Sequence, residues 1–271
     1  MAVTDTYEVY AVKYATMQNR FRRDNFIMAD DHASPMPIDY FVWVITNAER
    51  TVVVDTGFAP AEGKVRGRDV LRLPREGLAL LGIEAAQVKD VVITHMHYDH
   101  AGTLEDFPAA RFHINDLEMS FVSGRNMCQP VFRHAISADN VCAMIRSLFQ
   151  GRVAFHRGDE EIAPGISLHH IGGHTPGMQS VRAMTKRGWV VLASDAAHFY
   201  EEMERCMPFP IVHHVQDMIE GWDKLKRLAE SPQHVIPGHD PLVLKLYPAP
   251  KAELAGVVAR LDVAPKTSKA P

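Results

Sequence analysis

Short apolar runs separated by turn residues recur along most of the chain. Residues 40–46 and 51–54 are rich in β-branched and aromatic side chains, and residues 47–50 between them have turn composition, which predicts a β-hairpin. Residues 7–14 alternate in part between apolar and polar side chains and predict an outer strand. The run at 91–93, preceded by a charged pair, is typical of a short buried strand.

The second half of the chain continues the pattern of short strands. From residue 153 onward strands and turns alternate, and this repeat predicts a second sheet. Its strands are expected at 162–164, 166–171, 180–184 and 189–193. Residues 235–236 predict a last strand, residues 251–262 a helix, and residues 263–271 a frayed tail.

Helical periodicity marks fewer segments. Residues 71–81 predict one helix, and residues 115–121 predict another that begins at an Asn115 or Asp116 cap. Residues 211–231 predict a long amphipathic helix, because apolar residues recur at helical spacing while charged residues fall between them. Its expected apolar face consists of Val215, Ile219, Trp222, Leu225 and Leu228.

Two segments lack a regular pattern. Residues 17–37 predict a long loop, which either borders a substrate mouth with its aromatic and methionine side chains or crosses the surface. Residues 123–150 are rich in Met and Phe, and they predict either a cap over a site or a pair of core helices. The pattern favours neither alternative in either segment.

A cluster of potential metal ligands follows the buried strand at 91–93. An extended backbone would send His95, His97 and Asp99 to one face, and a turn after His100 would bring that imidazole beside them. Imidazole and carboxylate are the ligands that zinc and similar divalent ions accept. Four such groups within six residues exceed what one tetrahedral ion needs when it keeps a water, so the spacing indicates two ions.

Three more polar residues occur downstream in comparable positions. His174 lies in the segment GGHTPG, Asp195 ends the run VVLASD, and His239 follows VIPG. Each is at the edge of an apolar run, beside glycine, proline or a small residue. The whole set is more specific than a lone His-x-His pair, which is usually an ordinary surface or core feature.

These motifs together resemble the metallo-β-lactamase superfamily, and within it the N-acyl-homoserine lactonase-like branch. The resemblance covers residues 7–247, and it implies an α/β fold: a four-layer αββα sandwich of two mixed β-sheets flanked by helices. Both halves of the chain contribute ligands to one centre. We therefore expect a single domain over residues 1–271, with an ordered core at about 7–262.

The resemblance also implies a ligand set. One zinc would be held by His95, His97 and His174, the other by Asp99, His100 and His239, with Asp195 bridging the two. Asp55 would orient the site without binding metal. The chain departs from the branch three residues after the bridging aspartate, where His198 stands in place of the usual tyrosine that contacts the substrate carbonyl.

Two Zn²⁺ ions so placed, or Mn, Fe or Co in their stead, would hold a bridging hydroxide that attacks an acyl carbon. Asp99 is the expected general acid, and His198 is placed to donate a hydrogen bond to the carbonyl oxygen. The expected reaction is the opening of a lactone ring, with acyl-homoserine lactones as the first substrate class and other small lactones or esters next.

Other members of the superfamily offer alternative functions. A thioester hydrolase would be expected to carry a larger helical region than the 32 residues after His239. A persulfide dioxygenase would bind one iron instead of two zinc-like ions, and a non-catalytic metal-binding module would hydrolyse no ester. The missing signal peptide and the aspartates at 99 and 195 argue against a β-lactamase.

Composition narrows the class of binding partner and the cellular compartment. The net charge of -4 gives no nucleic-acid footprint, and no apolar run approaches a membrane span. The three cysteines show no paired metal spacing, so we expect buried or half-buried thiols in a reducing cytoplasm. The partner is expected to be a small lactone or ester, with a homodimer as an open alternative for the assembly.

Overall fold

The computed structural model describes residues 5–28, 30 and 33–266. In chain order the strands of this part are β1 (Glu8–Met17), β2 (Ile38–Thr46), β3 (Thr51–Val54), β4 (Asp69–Val70), β5 (Asp90–Val92), β6 (Arg111–Asn115), β7 (Val153–His156), β8 (Asp159–Ala163), β9 (Ile166–His170), β10 (Gln179–Thr185), β11 (Gly188–Ser194), β12 (Val235–Pro237) and β13 (Val258–Arg260). The helices are α1 (Pro60–Arg66), α2 (Pro74–Ala79), α3 (Asp116–Ser123), α4 (Pro130–Arg133), α5 (Ala138–Phe149), α6 (Tyr200–Arg205), α7 (Val215–Leu228) and α8 (Leu242–Leu246).

The strands form two mixed sheets. The first has the order β13-β1-β2-β3-β5-β6-β7, with β4 paired to β1, and the second has the order β12-β11-β10-β9-β8. In the first sheet β3, β5, β6 and β7 run parallel, and in the second only β11 and β12 do. The carboxyl ends of these parallel strands carry the loops on which the candidate ligands lie.

Successive side chains of β1 point alternately into two hydrophobic cores, one on each face of the first sheet. Val9 and Ala11 face a core shared with the second sheet, whereas Tyr10 and Val12 face a core shared with α2, α3 and α5. A sheet covered on both faces needs nearly continuous apolar strands, and β2 accordingly buries eight of its nine residues. Helices α7 and α8 cover the other side of the second sheet, which completes the expected αββα sandwich.

Several predicted elements are confirmed. Strands β2 and β3 form the hairpin, and Asn47 accepts hydrogen bonds from the backbone N–H groups of Glu49 and Arg50 in its turn. Asn115 caps α3 by accepting a hydrogen bond from Leu117 N–H at 2.9 Å. None of the helices in the described ranges has the length and apolarity that crossing a bilayer requires.

The apolar face of α7 differs from the prediction. Met218 lies on the buried face with Trp222 and Leu225, whereas Val215 and Ile219 are 40% and 37% exposed. Gly221 explains the shift, because a Cβ there would lie 2.5 Å from a methyl carbon of Ile171. The helix therefore packs through its glycine side, which a count of apolar residues cannot detect.

The end of the chain was predicted wrongly. Residues 251–262 form a 3-10 turn at Ala252–Leu254 and then β13, not a helix. Gly256 adopts a φ of 77°, which breaks a helix, and β13 pairs antiparallel with β1. The same pairing makes β1 an interior strand instead of an outer one. Of the expected frayed tail, residues 267–271 lie outside the described residues.

Other differences are smaller. Strand β7 belongs to the first sheet, although the repeat beginning at residue 153 indicated the second. Short helices α1, α6 and α8 had no clear sequence signal. The thiols of Cys128, Cys142 and Cys206 are all exposed, contrary to the expectation of buried thiols, because they lie on surface turns and on the outer side of α5.

Candidate metal centre

The candidate site lies where parallel strands of both sheets end. Strand β5 leads into the loop that begins with His95, β11 leads into Asp195, and β12 leads into His239. Gly238 is required there, because a Cβ at this position would lie 2.8 Å from an oxygen of Asp195. The carboxyl edges of parallel strands thus bring distant sequence positions to one point, as in other α/β sheets.

The local backbone differs from the extended path expected. Strand β5 stops at Val92, and a helical turn follows in which His100 N–H and Ala101 N–H both donate to His97 O, at 3.0 and 3.2 Å. The turn separates the motif into two parts. His95 and His97 fall in one cluster of potential ligands, and Asp99 and His100 fall in another.

The first cluster contains His95, His97 and His174. His97 Nδ1 and His174 Nε2 are 2.9 Å apart, and all three rings are buried. Burial lowers the pKa of His95 and His97 well below the ordinary range and lowers the pKa of His174 to about 3. Neutral rings offer lone pairs, which is the state that metal binding requires.

The second cluster contains Asp99, His100 and His239. Asp99 Oδ2 lies 3.7 Å from His100 Nε2 and 3.8 Å from His239 Nε2. The far nitrogens of both rings are fixed: His100 Nδ1 lies 2.7 Å from Asp55 Oδ2, and His239 Nδ1 donates to Asp39 O at 2.8 Å. Such contacts leave Nε2 free to face a cation.

Asp195 lies between the two clusters. Its Oδ2 is 3.7 Å from His95 Nε2 and 3.3 Å from His174 Nε2. Its Oδ1 is 3.2 Å from His100 Nε2 and 3.0 Å from His239 Nε2. One oxygen therefore faces each set of nitrogens, which is the arrangement of a bridging carboxylate.

The site fits divalent cations by an independent observation. His95 Nε2 is fully buried and has no hydrogen-bond partner among the described residues, although buried polar nitrogens are nearly always paired. Burial alone would lower the pKa of His100, but Asp195 and Asp99 raise it well above its ordinary value. The carboxylates thus favour positive charge at this point, which bound cations would supply.

The family assignment follows from the sequence. A family model described as Metallo-beta-lactamase superfamily matches residues 37–239. The chain belongs to the metallo-β-lactamase superfamily. This confirms the resemblance drawn from the motifs, and it makes the chain a superfamily hydrolase with a His/Asp cluster suited to metal.

Individual members of the metallo-β-lactamase superfamily are similar to this chain at modest identity. An N-acyl homoserine lactonase from a Bacillus species is 27% identical over 189 residues, which are 64% of this chain and 70% of that protein. The crystal structure of a quorum-quenching N-acyl homoserine lactone lactonase superposes with a TM-score of 0.71 at 19% identity, covering 88% of this chain and 94% of the other. AidC, a dizinc quorum-quenching lactonase, superposes with a TM-score of 0.67 at 15% identity, covering 87% and 88%. These superpositions confirm the metallo-β-lactamase fold.

His198 lies at the edge of this metallo-β-lactamase site. Its Nε2 is 3.0 Å from Asp195 Oδ2, and its ring stacks on Phe209 with centroids 3.9 Å apart. Burial would lower the pKa of His198, but Asp195 and Glu202 raise it to about 9. His198, Asp195 and His239 also lie close enough together to hold an ion.

Glu118 is a site residue that sequence reasoning missed. It is fully buried on α3, and its carboxylate accepts hydrogen bonds from Met96 N–H at 2.8 Å, Thr175 Oγ1–H at 2.6 Å and Gly177 N–H at 3.2 Å. It therefore joins the loop of His95 and His97 to the loop of His174. The available signal was a carboxylate three residues after the helix cap, on the helix side that carries Met119, Phe121 and Val122.

The two irregular segments both reach the site. Arg20 from the loop at 17–37 lines the cavity beside the candidate ligands, and so do His134 and Ala135 from residues 123–150. The remainder of the second segment forms α5, whose Val141 and Met144 are buried in the core. That segment therefore combines the two alternatives, since its middle borders the cavity and its end is a core helix.

Proposed function

We propose that this chain is a dinuclear-metal hydrolase, with zinc as the first candidate metal, that opens the ring of a small lactone. N-acyl homoserine lactonases among its relatives support the reaction class, and quorum quenching is the physiological role they suggest. The single observation that carries the proposal is Asp195, whose two oxygens face two separate sets of imidazole nitrogens. One ion would need only one of these sets.

Each proposed ligand has a place in this scheme. His95, His97 and His174 would hold the first ion, and Asp99, His100 and His239 the second, with Asp195 shared. When bound, two divalent ions supply an activated water at neutral pH and polarise a carbonyl oxygen. Mn, Fe and Co are accepted by the same ligand types, so the donor set alone does not select among them.

The remaining chemistry belongs to the side chains of the protein. Asp99 is half a helical turn from His97, and its carboxylate borders the cavity, where it is placed to carry a proton to the leaving oxygen. His198 lines the same cavity with its Nε2 beside Asp195, and we propose that it donates a hydrogen bond to the carbonyl oxygen as negative charge develops there. Both halves of the chain supply these groups, so the proposed catalytic unit is one domain.

Metal analysis combined with a substrate panel tests the proposal. Protein purified without added metal is expected to contain two divalent ions per chain, and to release acid from small lactones in a pH-monitored assay. Chelation abolishes this release and zinc restores it. The matched variants are His239→Ala, which should lower the metal content towards one ion, and His234→Ala, a half-buried histidine outside the site, which should not.

Three outcomes contradict the proposal. One iron per chain with oxygen consumption on a persulfide indicates the dioxygenase reaction. Thioester cleavage without lactone cleavage indicates a thioester hydrolase. Full metal content with no turnover of any lactone, thioester or phosphodiester indicates a binding module.

A further inference from the structure

Three arginines line the cavity over the proposed metal centre. Arg20 follows β1, Arg66 ends α1, and Arg68 precedes β4, so segments beside two strands of the first sheet and the end of a helix place them together. The cavity has a volume of about 80 Å³. Pockets for drug-sized ligands have roughly 300 to 1,000 Å³, so this one fits a compact substrate better than a long acyl chain.

Arg66 is neutralised, but the other two arginines are not. Arg66 pairs with Glu62 and lies over the Tyr98 ring at 3.9 Å. Arg20 and Arg68 make no ion pair within the described ranges, and their hydrogen bonds go to neutral acceptors. Arg20 Nη2 donates to a backbone carbonyl at 2.6 Å, and Arg68 Nε donates to the Tyr98 hydroxyl at 3.2 Å.

These two guanidinium groups are in contact with the neighbours of the candidate catalytic residues. Arg68 bonds Tyr98, which stands between His97 and Asp99 in the chain. Arg20 lies 4.9 Å over the ring of Phe209, which stacks on His198. The pair therefore borders the space where a substrate would meet the metal ligands.

Among the described residues of the cavity wall, carboxylates offset this positive charge only in part. The carboxylates among the lining residues are Asp99 and Asp195, and both are already assigned to metal in the proposed function. Burial lowers the pKa of Arg20 and the nearby charge of Arg68 lowers it further, against Tyr40 and Asp24, which raise it. Burial would also lower the pKa of Arg68, but Tyr40, Tyr98 and Asp99 raise it. Two like charges held together at a partly buried site favour the binding of an anion between them.

We propose that the substrate is a small lactone or ester that carries an oxyanion group, bound by Arg20 and Arg68 while its ring carbonyl faces the metal centre. Carboxylate and phosphate share this chemistry, since both accept the planar fork of a guanidinium. The inference rests on the proposed function and narrows its substrate class. Neutral acyl-homoserine lactones are then poorer substrates than anionic lactones of similar size.

Matched substrates test the proposal. The probes are a five-membered lactone with a ring carboxylate, the same lactone as its neutral primary amide, and a lactone with a phosphomonoester. For the wild-type metal-loaded enzyme we expect kcat/KM to be at least about 10-fold higher for an anionic lactone than for the amide. The ratio should fall as salt is added, because ions screen the attraction. The anionic lactone with the higher kcat/KM shows whether the site prefers a carboxylate or a phosphate.

Variants assign the preference to residues. Arg20→Gln and Arg68→Gln should each lower the anionic-to-neutral ratio of kcat/KM roughly 10- to 100-fold, mainly through KM, and Arg68→Lys should recover part of it. Arg75→Gln removes an exposed arginine that pairs with Asp106 outside the cavity, and it should leave the ratio unchanged. Thermal unfolding verifies that each variant is folded. If Arg20→Gln does not fold, the comparison of Arg68→Gln with Arg68→Lys still tests the proposal.

A binding measurement separates this inference from the proposed reaction. The unreactive lactam that carries the carboxylate should bind the wild-type enzyme in calorimetry and bind the two Gln variants at least about 10-fold more weakly. Arginine-dependent lactam binding without any lactone hydrolysis supports the anion site and contradicts the lactonase. Equal turnover of anionic and neutral lactones, unchanged in the variants, overturns the anion site and leaves the lactonase standing.

Discussion

Individual side chains determine how the proposed ligands form two separate clusters. Asp195 faces one cluster of imidazoles with each oxygen, and Asp55 fixes the ring of His100 through a contact of 2.7 Å. Asp55 can take this position because it adopts a φ of 62° at the end of β3, in the left-handed region that short polar residues tolerate. A short strained turn thus sets the direction of a proposed ligand.

Replacement of His198 tests its proposed hydrogen bond to the carbonyl. We expect His198→Ala to lower kcat on lactones roughly 100-fold, the usual loss when one donor to a developing oxyanion is removed, and to leave the metal content unchanged. His198→Tyr should recover part of the rate, because a phenol also donates. Steady-state kinetics with metal analysis measures both effects. Unchanged turnover of a good lactone substrate excludes this role for His198.

Replacement of Glu118 tests the connection between the two ligand loops. Glu118→Gln keeps the shape but turns an amide N–H₂ towards a backbone or hydroxyl donor, so at least one buried hydrogen bond is lost. We expect a loss of about 1–3 kcal/mol in the free energy of unfolding, measured in urea, and weaker metal binding. Glu105→Gln, an exposed glutamate, is the control. Equal stability of both variants contradicts the connection.

At the scale of elements, the sequence predicted the strands better than the short helices. The hairpin of β2 and β3 was predictable because apolar runs and turn residues act locally. Strand β13 was not, since residues around Val258 become a strand only through pairing with β1, about 250 positions away. Likewise, the division of His95 to His100 depends on a turn held by backbone hydrogen bonds, not on side-chain periodicity. The ligand identities could be proposed from motifs, whereas Glu118 and the arginines needed the fold.

Strands β5 and β6 carry a pH-dependent contact that can be tested. His113 Nε2 lies 3.1 Å from Asp90 Oδ1, and the hydrogen bond from His113 lowers the pKa of the Asp90 carboxyl. Because the folded pKa is below the unfolded value of about 3.9, this stabilisation is present above about pH 4 and is lost as the pH falls through the folded pKa. Asp90→Asn should therefore remove part of the acid dependence of stability.

The expected size of that effect is small. Asp90 is half-exposed and solvent screens the pair, so the loss near neutral pH should be at most about 1 kcal/mol. Urea midpoints measured from pH 3 to pH 7 give the comparison. Asp223→Asn, an exposed aspartate on α7, should keep the wild-type profile. If Asp90→Asn also keeps the wild-type profile, the contact with His113 does not contribute to the acid dependence of stability.

At the scale of the molecule, metal is expected to stabilise the whole fold. The proposed ligands come from loops of both sheets, so bound ions would cross-link the sandwich at one edge. A cation present at about 1,000 times its Kd contributes about 4 kcal/mol, which corresponds to roughly 10 °C in Tm for a chain of this size. Calorimetry before and after chelation should show this loss, and zinc should reverse it. A Tm that chelation does not change contradicts the cross-link.

The pairing of β1 with β13 has a consequence for how the protein is made. Tyr10 faces Arg260, so β1 completes its ladder only with a segment that is synthesised about 250 residues later. Until then β1 has an open side with unsatisfied backbone groups, a surface to which other chains can add. A chain whose synthesis stops before residue 257 would therefore expose the unpaired edge of β1 and be prone to aggregate. Chaperones that hold unfolded chains would be needed most before β13 is made.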